Sequence, residues 1–186
     1  MVIIFLQILL IVFLLCILGI LILNLLVLPF YVYAMIRGAF YAPTSSGKVQ
    51  IMLNLVKEKK IRYMADIGSG DGRIVIAFAK AGILADGFEI NPMLVLRSQL
   101  KMFFAFSKSN SQFKKNVKIY LKDFWFQDFK KYDLVTLYGI TRIMPKLEEK
   151  LQKELRPGSL VISNAFQFPT WKVMKKVDGV IVYQKQ

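Results

Sequence analysis

The chain has 186 residues, with 26 Lys and Arg against 12 Asp and Glu, a net charge of +14. It contains no histidine, and its single cysteine is Cys16. Those counts exclude imidazole bases, a Ser-His-Asp triad, an intrachain disulfide and His- or Cys-rich metal sites, so no metal is expected.

The first 36 residues carry no charge; Arg37 is the first charged residue. Residues 2–28 are almost wholly Ile, Leu, Val and Phe, broken by Gln7, Cys16, Gly19 and Asn24. At about 1.5 Å per residue such a helix reaches roughly 40 Å, enough for a hydrocarbon core of about 30 Å. No second run approaches it, which excludes a multi-spanning transporter. A cleaved signal peptide is the competing reading. It needs a basic n-region, a shorter apolar run and a small-residue cleavage site, and this sequence offers none of them.

Pro29 is expected to end or bend this helix. Phe30, Tyr31, Tyr33, Phe40 and Tyr41 form an aromatic group suited to a membrane interface. Arg37, Lys48, Lys57, Lys59 and Lys60 lie on the C-terminal side, which places the N-terminus outside and the following domain on the cytoplasmic face. Gln7 and Asn24 read as amides tolerated in the span or as hydrogen-bonding groups for a partner helix. The division is an anchor over 1–36, a linker and first helix over 37–60, and a domain over 61–186.

Residues 42–47 read as a turn, with Ser45 or Ser46 capping a helix that carries Val49, Met52, Leu53 and Val56 at helical spacing. A short strand is expected over 62–67, a glycine-rich turn over 68–72 and an apolar helix over 74–81. A second strand spans 84–90. Asn91-Pro92 starts a helix, Asn as cap and Pro in the first turn, running to about Lys108. Strands follow at 117–121 and 134–138. An amphipathic helix over 142–155 stops at Pro157-Gly158. A strand over 160–165 and two segments flanking Asp178-Gly179, a hairpin signal, complete the chain. Alternating strand and helix predict an α/β fold, with a mainly parallel sheet covered on both faces.

The chemistry concentrates in Asp66-Ile67-Gly68-Ser69-Gly70-Asp71-Gly72-Arg73. Glycines after a strand let the chain turn tightly and let a ligand approach the backbone; the following helix offers free N–H groups. A dinucleotide site wants G-x-G-x-x-G, but Arg73 stands where the third glycine belongs. G-x-G-x-G with an acid two residues earlier suits S-adenosylmethionine. Asp66 is placed to hold the cationic amino-acid end of that cofactor. Glu89 ends the second strand, where a carboxylate accepts from both ribose hydroxyls. Asp123 follows the third strand, where it can accept from the adenine amino group, with Phe124 beside the ring. Gly68, Ser69, Gly70, Gly72 and Asn91 complete the set. The plainer alternatives are a tight strand–helix connection, Asp71 as a helix cap and Asp123 as a loop residue.

Residues 66–79, Gly87-Phe88-Glu89-Ile90-Asn91-Pro92, Tyr138-Gly139-Ile140 and the Met144–Leu151 segment resemble the small membrane-anchored protein-lysine methyltransferases. Tyr41-Ala42-Pro43-Thr44 and Phe166–Trp171 extend the resemblance. Eukaryotic members are mitochondrial and modify the adenine nucleotide translocase and the ATP synthase c-subunit; archaeal relatives methylate many proteins. The resemblance implies a seven-stranded, Rossmann-like class I methyltransferase sheet with a C-terminal antiparallel hairpin, behind one transmembrane helix. In a eukaryote it implies the mitochondrial inner membrane. It also implies that Tyr41 and Thr44 close over the methionine end of the cofactor. The chain departs from the eukaryotic pattern at Thr141, where a proline is usual, and at Asn164-Ala165, where a basic residue is usual.

Tyr138, at the mouth of the fourth strand, reads as a group that orients an acceptor amine, or as a packing tyrosine. Lys dominates the basic residues, which fits attraction to anionic lipid or a plain compositional bias better than base recognition by Arg. The expected function is methyl transfer from S-adenosylmethionine to a lysine of a membrane-associated protein substrate, with the bilayer as second partner. The alternatives are a lipid or small-amphiphile methyltransferase and a non-catalytic adaptor. No Asn-Pro-Pro-Tyr-like motif follows the fourth strand, which weighs against a nucleic-acid acceptor.

Overall fold

The computed structural model describes residues 2–37, 41–106 and 111–186. Phe40 lies outside the described residues, as do the side chains of Phe30, Tyr31, Tyr33 and Arg37. Helix α1 spans Val2–Arg37 and runs on through Pro29, so of the two expectations for this proline, an end or a bend, the end is not met. A proline removes one intrahelical hydrogen bond, and the apolar turns on either side continue past it. The stretch Val2–Pro29 has a mean hydropathy of 3.2, and none of its most apolar part is buried. Asn24 donates to the Ile20 carbonyl at 2.8 Å, which engages one N–H of this amide inside its own helix.

Helix α2 (Ser46–Val56) starts at Ser45, whose hydroxyl accepts from the Lys48 N–H. Seven strands follow: β1 (Tyr63–Ile67), β2 (Leu84–Glu89), β3 (Val117–Leu121), β4 (Leu134–Leu137), β5 (Leu160–Asn164), β6 (Lys175–Val177) and β7 (Val180–Gln184). They form one sheet in the order β3-β2-β1-β4-β5-β7-β6. The first five are mutually parallel, and β7 pairs antiparallel with both β5 and β6. Asp178 and Gly179 both take positive φ, as a two-residue hairpin turn needs. Between strands lie α3 (Arg73–Lys80), α4 (Pro92–Phe106), α5 (Ser111–Lys114) and α6 (Met144–Glu154). The short α5 and a 3-10 turn at Phe124–Phe126 are not legible in the sequence pattern; both are too short to show periodicity.

Alternate strand residues serve opposite faces. Met64, Leu134, Ile162 and Val182 join the core under α2, α3 and α4. Ala65, Val135, Val161 and Tyr183 join the core under α6, with Phe129, Phe168 and Trp171. A sheet buried on both faces explains why its strands read as continuous apolar runs. The order reverses between β1 and β4. Connections leaving these two strands diverge to opposite sides, which opens a crevice at their carboxyl ends.

Candidate functional site

The crevice holds a cavity of about 570 Å³. Its floor is the β1 end and the glycine turn, Asp66–Asp71, with Phe88 to Asn91 beside it. Phe124, Leu137, Tyr138, Ile143 and Leu147 form the opposite wall. Tyr41–Thr44 cover one side, and Leu28 and Val32 of α1 border the same space.

Three glycines of the turn have left-handed φ: 72° at Gly68, 54° at Gly70 and 74° at Gly72. Their surroundings differ. A Cβ on Gly68 would meet nothing within 4 Å, so this backbone faces the cavity. A Cβ on Gly70 would stand 2.8 Å from the Tyr41 ring, and one on Gly72 would stand 2.9 Å from Ser98 Cβ. Gly72→Ala should therefore cost about 2 kcal/mol or more, from the left-handed backbone and the clash with α4. The check is the melting temperature, which should fall by several degrees; an unchanged value would mean that α4 yields freely.

Glu89 is buried, and both its oxygens accept from backbone. Its Oε2 accepts from Gly70 N–H at 2.9 Å, and its Oε1 accepts from Ile90 and Asn91 N–H at 2.9 and 2.8 Å. Burial raises its pKa, while the three N–H groups pull it back. Glu89 thus ties the glycine turn to the start of α4. Asn91 in turn caps α4 by accepting from Met93 N–H.

Asp66 is buried and paired through strand register. β1 and β4 place it opposite Thr136, whose hydroxyl donates to Asp66 Oδ1 at 2.7 Å. Burial pushes its pKa up to about 7; the Thr136 bond opposes this, and the charges of Glu89 and Asp71 add to it. It is an acid half-ionised near neutrality, facing the cavity.

Asp71 does more than cap the helix: its Oδ1 accepts from the Arg73 N–H at the start of α3, at 3.4 Å, but most of its bonds go to side chains. It is a buried hub, held bidentately by Arg73, at 2.9 Å from Nε and 2.7 Å from Nη2, and contacted by Lys101 Nζ. Burial alone would raise its pKa, but the bonds from Arg73, Lys101 and Tyr41 outweigh this and hold it well below the carboxylate range. Arg73 also donates to the Thr44 carbonyl at 2.8 Å. Thr44 Oγ1 accepts from Asn164, whose Oδ1 accepts from Lys48 Nζ. The 41–48 segment is therefore strapped both to the glycine turn and to the end of β5. Lys101 and Thr136 carry no signal in the sequence because Asp71 and Asp66, their partners, lie 30 and 70 residues away along the chain. At Asn164, where a basic residue was expected, Lys48 brings its ammonium from α2. The neighbouring Ala165 takes a φ of 69°.

Other expected residues separate. Phe124 lines the cavity, but Asp123 does not; its Oδ1 caps the 3-10 turn by accepting from Trp125 N–H at 2.9 Å. Ser69 lines the cavity too, yet its hydroxyl is the buried side-chain polar atom without a partner among the described residues. Tyr138 lines the cavity and packs its ring on Phe166, with centroids 5.9 Å apart. Among the described residues no cluster of acids, Cys or His could hold a metal ion.

A family model described as the ANTKMT methyltransferase domain matches residues 66–175, more than half of the chain. The chain belongs to this family. The stretch from Asp66 to the start of β6 is thus the family's domain, and it contains the glycine turn, Glu89, Phe124 and Tyr138. Two curated relatives frame the family. The mouse (Mus musculus) lysine N-methyltransferase of the ATP synthase c-subunit is 38% identical over 131 residues, 70% of this chain and 50% of its own length. The protein-lysine N-methyltransferase of Saccharolobus islandicus is 32% identical over 144 residues, 75% of this chain and 86% of its own. This family member therefore spans about half the length of the mouse relative, and most of the archaeal one. A solved structure from Salinibacter ruber, an RNA methyltransferase in complex with S-adenosyl-L-homocysteine, is 31% identical. It covers 77% of this chain and 92% of its own, with a TM-score of 0.67.

Proposed function

We propose that the chain is an S-adenosylmethionine-dependent methyltransferase that modifies a lysine side chain of a membrane-associated protein. The observation that carries this reading is the cavity lined together by Asp66, the glycine turn and Glu89. Its residues fit the cofactor. Gly68 leaves backbone open to the cavity where any Cβ would intrude. Asp66 offers a carboxylate to the cationic ammonium of the amino-acid end. Glu89 Oε2, with one N–H bound, keeps a lone pair for a ribose hydroxyl. Phe124, Leu137, Ile143 and Leu147 offer apolar walls to the ring. Tyr41 and Thr44, strapped down through Asp71 and Arg73, cover the methionine end, and Ser69 and Asn91 border it. Asp123 acts in this reading through the 3-10 turn that positions Phe124.

When bound, the cofactor would supply a methyl group already activated on a sulfonium. The protein's work is to hold the acceptor amine in line and dry. The apolar walls favour the neutral amine, so its proton leaves to water and no histidine is required. Tyr138, held by Phe166, orients that amine.

The names of the mouse and archaeal relatives both specify lysine as acceptor. The Salinibacter structure is named for RNA, but Tyr138-Gly139-Ile140-Thr141 lacks the Asn-Pro-Pro-Tyr-like motif of base-amine acceptors. Incubating full-length protein with methyl-labelled cofactor and total membranes separates these acceptors. Label in protein supports this reading; label in lipid or RNA, or in nothing, overturns it.

The anchor belongs to the same proposal. Val2–Pro29 spans the bilayer, the N-terminus lies outside, and the domain that begins beyond the 37–60 linker and helix works at the cytoplasmic face, or within mitochondria on the inner membrane. Residues 38–45 join α1 to α2, and a stretch of that length reaches no more than about 29 Å even fully extended. Lysines near the bilayer then meet a high effective concentration of enzyme. Removing residues 1–36 should leave a folded, cofactor-binding domain. It should slow methylation of a membrane-embedded acceptor, while the rate on a soluble peptide bearing the same lysine holds. Equal loss on both substrates would show that α1 supports the site instead of delivering it.

A further inference from the structure

Beyond α1, the exposed large apolar side chains among the described residues are concentrated on α4. Met93, Leu96, Leu100, Phe103 and Phe104 are all exposed, from 42% at Met93 to 72% at Phe104. Their three- and four-residue spacing puts them on one side of the helix. The opposite side is the one the fold uses: Val95, Ser98 and Phe106 are buried. The Phe103 and Phe104 rings touch each other, with centroids 5.5 Å apart. This ridge is therefore surplus to the core.

Its charge surroundings are one-sided. From Ile90 to Lys122 the sequence has seven Lys and Arg and no acid; of these, Lys101 is paired with the buried Asp71. Lys114 at the end of α5, Lys115 just after it and Lys118 on edge strand β3 are exposed. Arg97 lies within the ridge itself. An apolar ridge with Phe at its end and a purely basic border is the pattern of an element lying in the headgroup region of an anionic bilayer. A neutral apolar protein groove would cover the ridge but leave the basic border without a role. Position agrees: Leu94 of α4 and Leu28 and Val32 of α1 line the same cavity, so the ridge begins near the end of the apolar span.

We infer that the outer face of α4 is a second membrane contact, which docks on anionic lipid and turns the crevice toward the bilayer surface. This rests on reading α1 as a membrane span and needs no statement about the reaction. The test uses the full chain with Cys16→Ser, reconstituted in nanodiscs with and without phosphatidylglycerol. Spin labels are placed one at a time at Leu100→Cys on the ridge, Glu149→Cys on α6 across the sheet, and Leu21→Cys in α1. Accessibility to oxygen and to an aqueous nickel chelate is measured at each.

With phosphatidylglycerol, the label at 100 should lose nickel access by roughly threefold or more relative to nanodiscs without it and gain oxygen access. The label at 149 should stay nickel-accessible. If the label at 21 is shielded and the label at 100 is not, the ridge proposal falls and the anchor stands. If the label at 21 is itself open to nickel, both fall. Shielding at 100 that appears only after adding an acceptor protein would assign the ridge to that protein, and shielding that ignores phosphatidylglycerol would remove the anionic lipid; either overturns the inference.

Discussion

Glu89→Ala should weaken S-adenosylmethionine binding at least tenfold and lower the stability of the domain. The first effect follows from the ribose hydroxyls this carboxylate is proposed to accept, at roughly 1.5–3 kcal/mol for each charged hydrogen bond. Tenfold is only about 1.4 kcal/mol, so losing a single such bond suffices. The second effect follows from the N–H groups of Gly70, Ile90 and Asn91, which all lose their acceptor. Orphaned buried donors cost about 1–3 kcal/mol each. Water entering the vacated space recovers part of this, so a loss of about 3 kcal/mol is expected. Glu89→Gln should not rescue, because its amide NH₂ would face backbone N–H groups. Titration calorimetry reads affinity and thermal unfolding reads stability. Unchanged affinity in a folded Glu89→Ala protein would mean the ribose is held elsewhere.

Asp66→Asn should separate stability from binding. The folded-state pKa is raised from 3.8 to about 7, mainly by burial. For an acid shifted upward, the stability linked to its protonated form is complete below the unfolded value near 3.8. It is lost as pH rises through about 7. At about 1.4 kcal/mol per unit, ionising Asp66 costs the folded state on the order of 4 kcal/mol above neutrality. Asn is neutral and can still accept from Thr136. At pH 8 Asp66→Asn should therefore melt higher than the parent, and its stability should no longer decline between pH 4 and 7. Asp71 acts in the opposite sense. Its depressed pKa contributes stability that is present above the ordinary carboxylate value and lost as pH falls. Acid unfolding should thus persist in Asp66→Asn.

The binding half of this prediction runs through charge. The cationic end of the cofactor needs an ionised partner, so affinity in the parent should rise as pH passes through about 7. In Asp66→Asn that rise should vanish and affinity at pH 8 should be lost. Retained affinity with the same pH profile would exclude Asp66 as the partner. A gain in stability together with a loss of binding would mark the strain that a binding site carries when its ligand is absent.

Much of this molecule is legible from local pattern. The uncharged run before Arg37 is legible as one long apolar helix because Ile, Leu, Val and Phe fill most of it without a charge. The strand expected over 117–121 has those limits in the fold, and β1, β2, β4 and β5 agree within about one residue. Apolar runs bounded by Gly, Pro and Asn carry that information locally. Gly68, Gly70 and Gly72 announce left-handed backbone after a strand, and Ser45 and Asn91 announce helix starts. Pro29 shows the limit of such reading, since a long apolar helix absorbs one missing hydrogen bond.

What tertiary structure alone decided is how the acids are paired. Asp66 meets Thr136 only because β1 and β4, distant in sequence, lie adjacent in one register. Asp71 meets Lys101 because α4 packs back beside the glycine turn, and Lys48 reaches Asn164 from the opposite end of the domain. Asp123, also an aspartate placed after a strand, turns instead to cap three residues of 3-10 helix. Local hydrogen bonding and hydrophobic period set the elements. The ionisation of each carboxylate depends on burial and on charges brought in by strand order and helix packing, and no short window of sequence contains those.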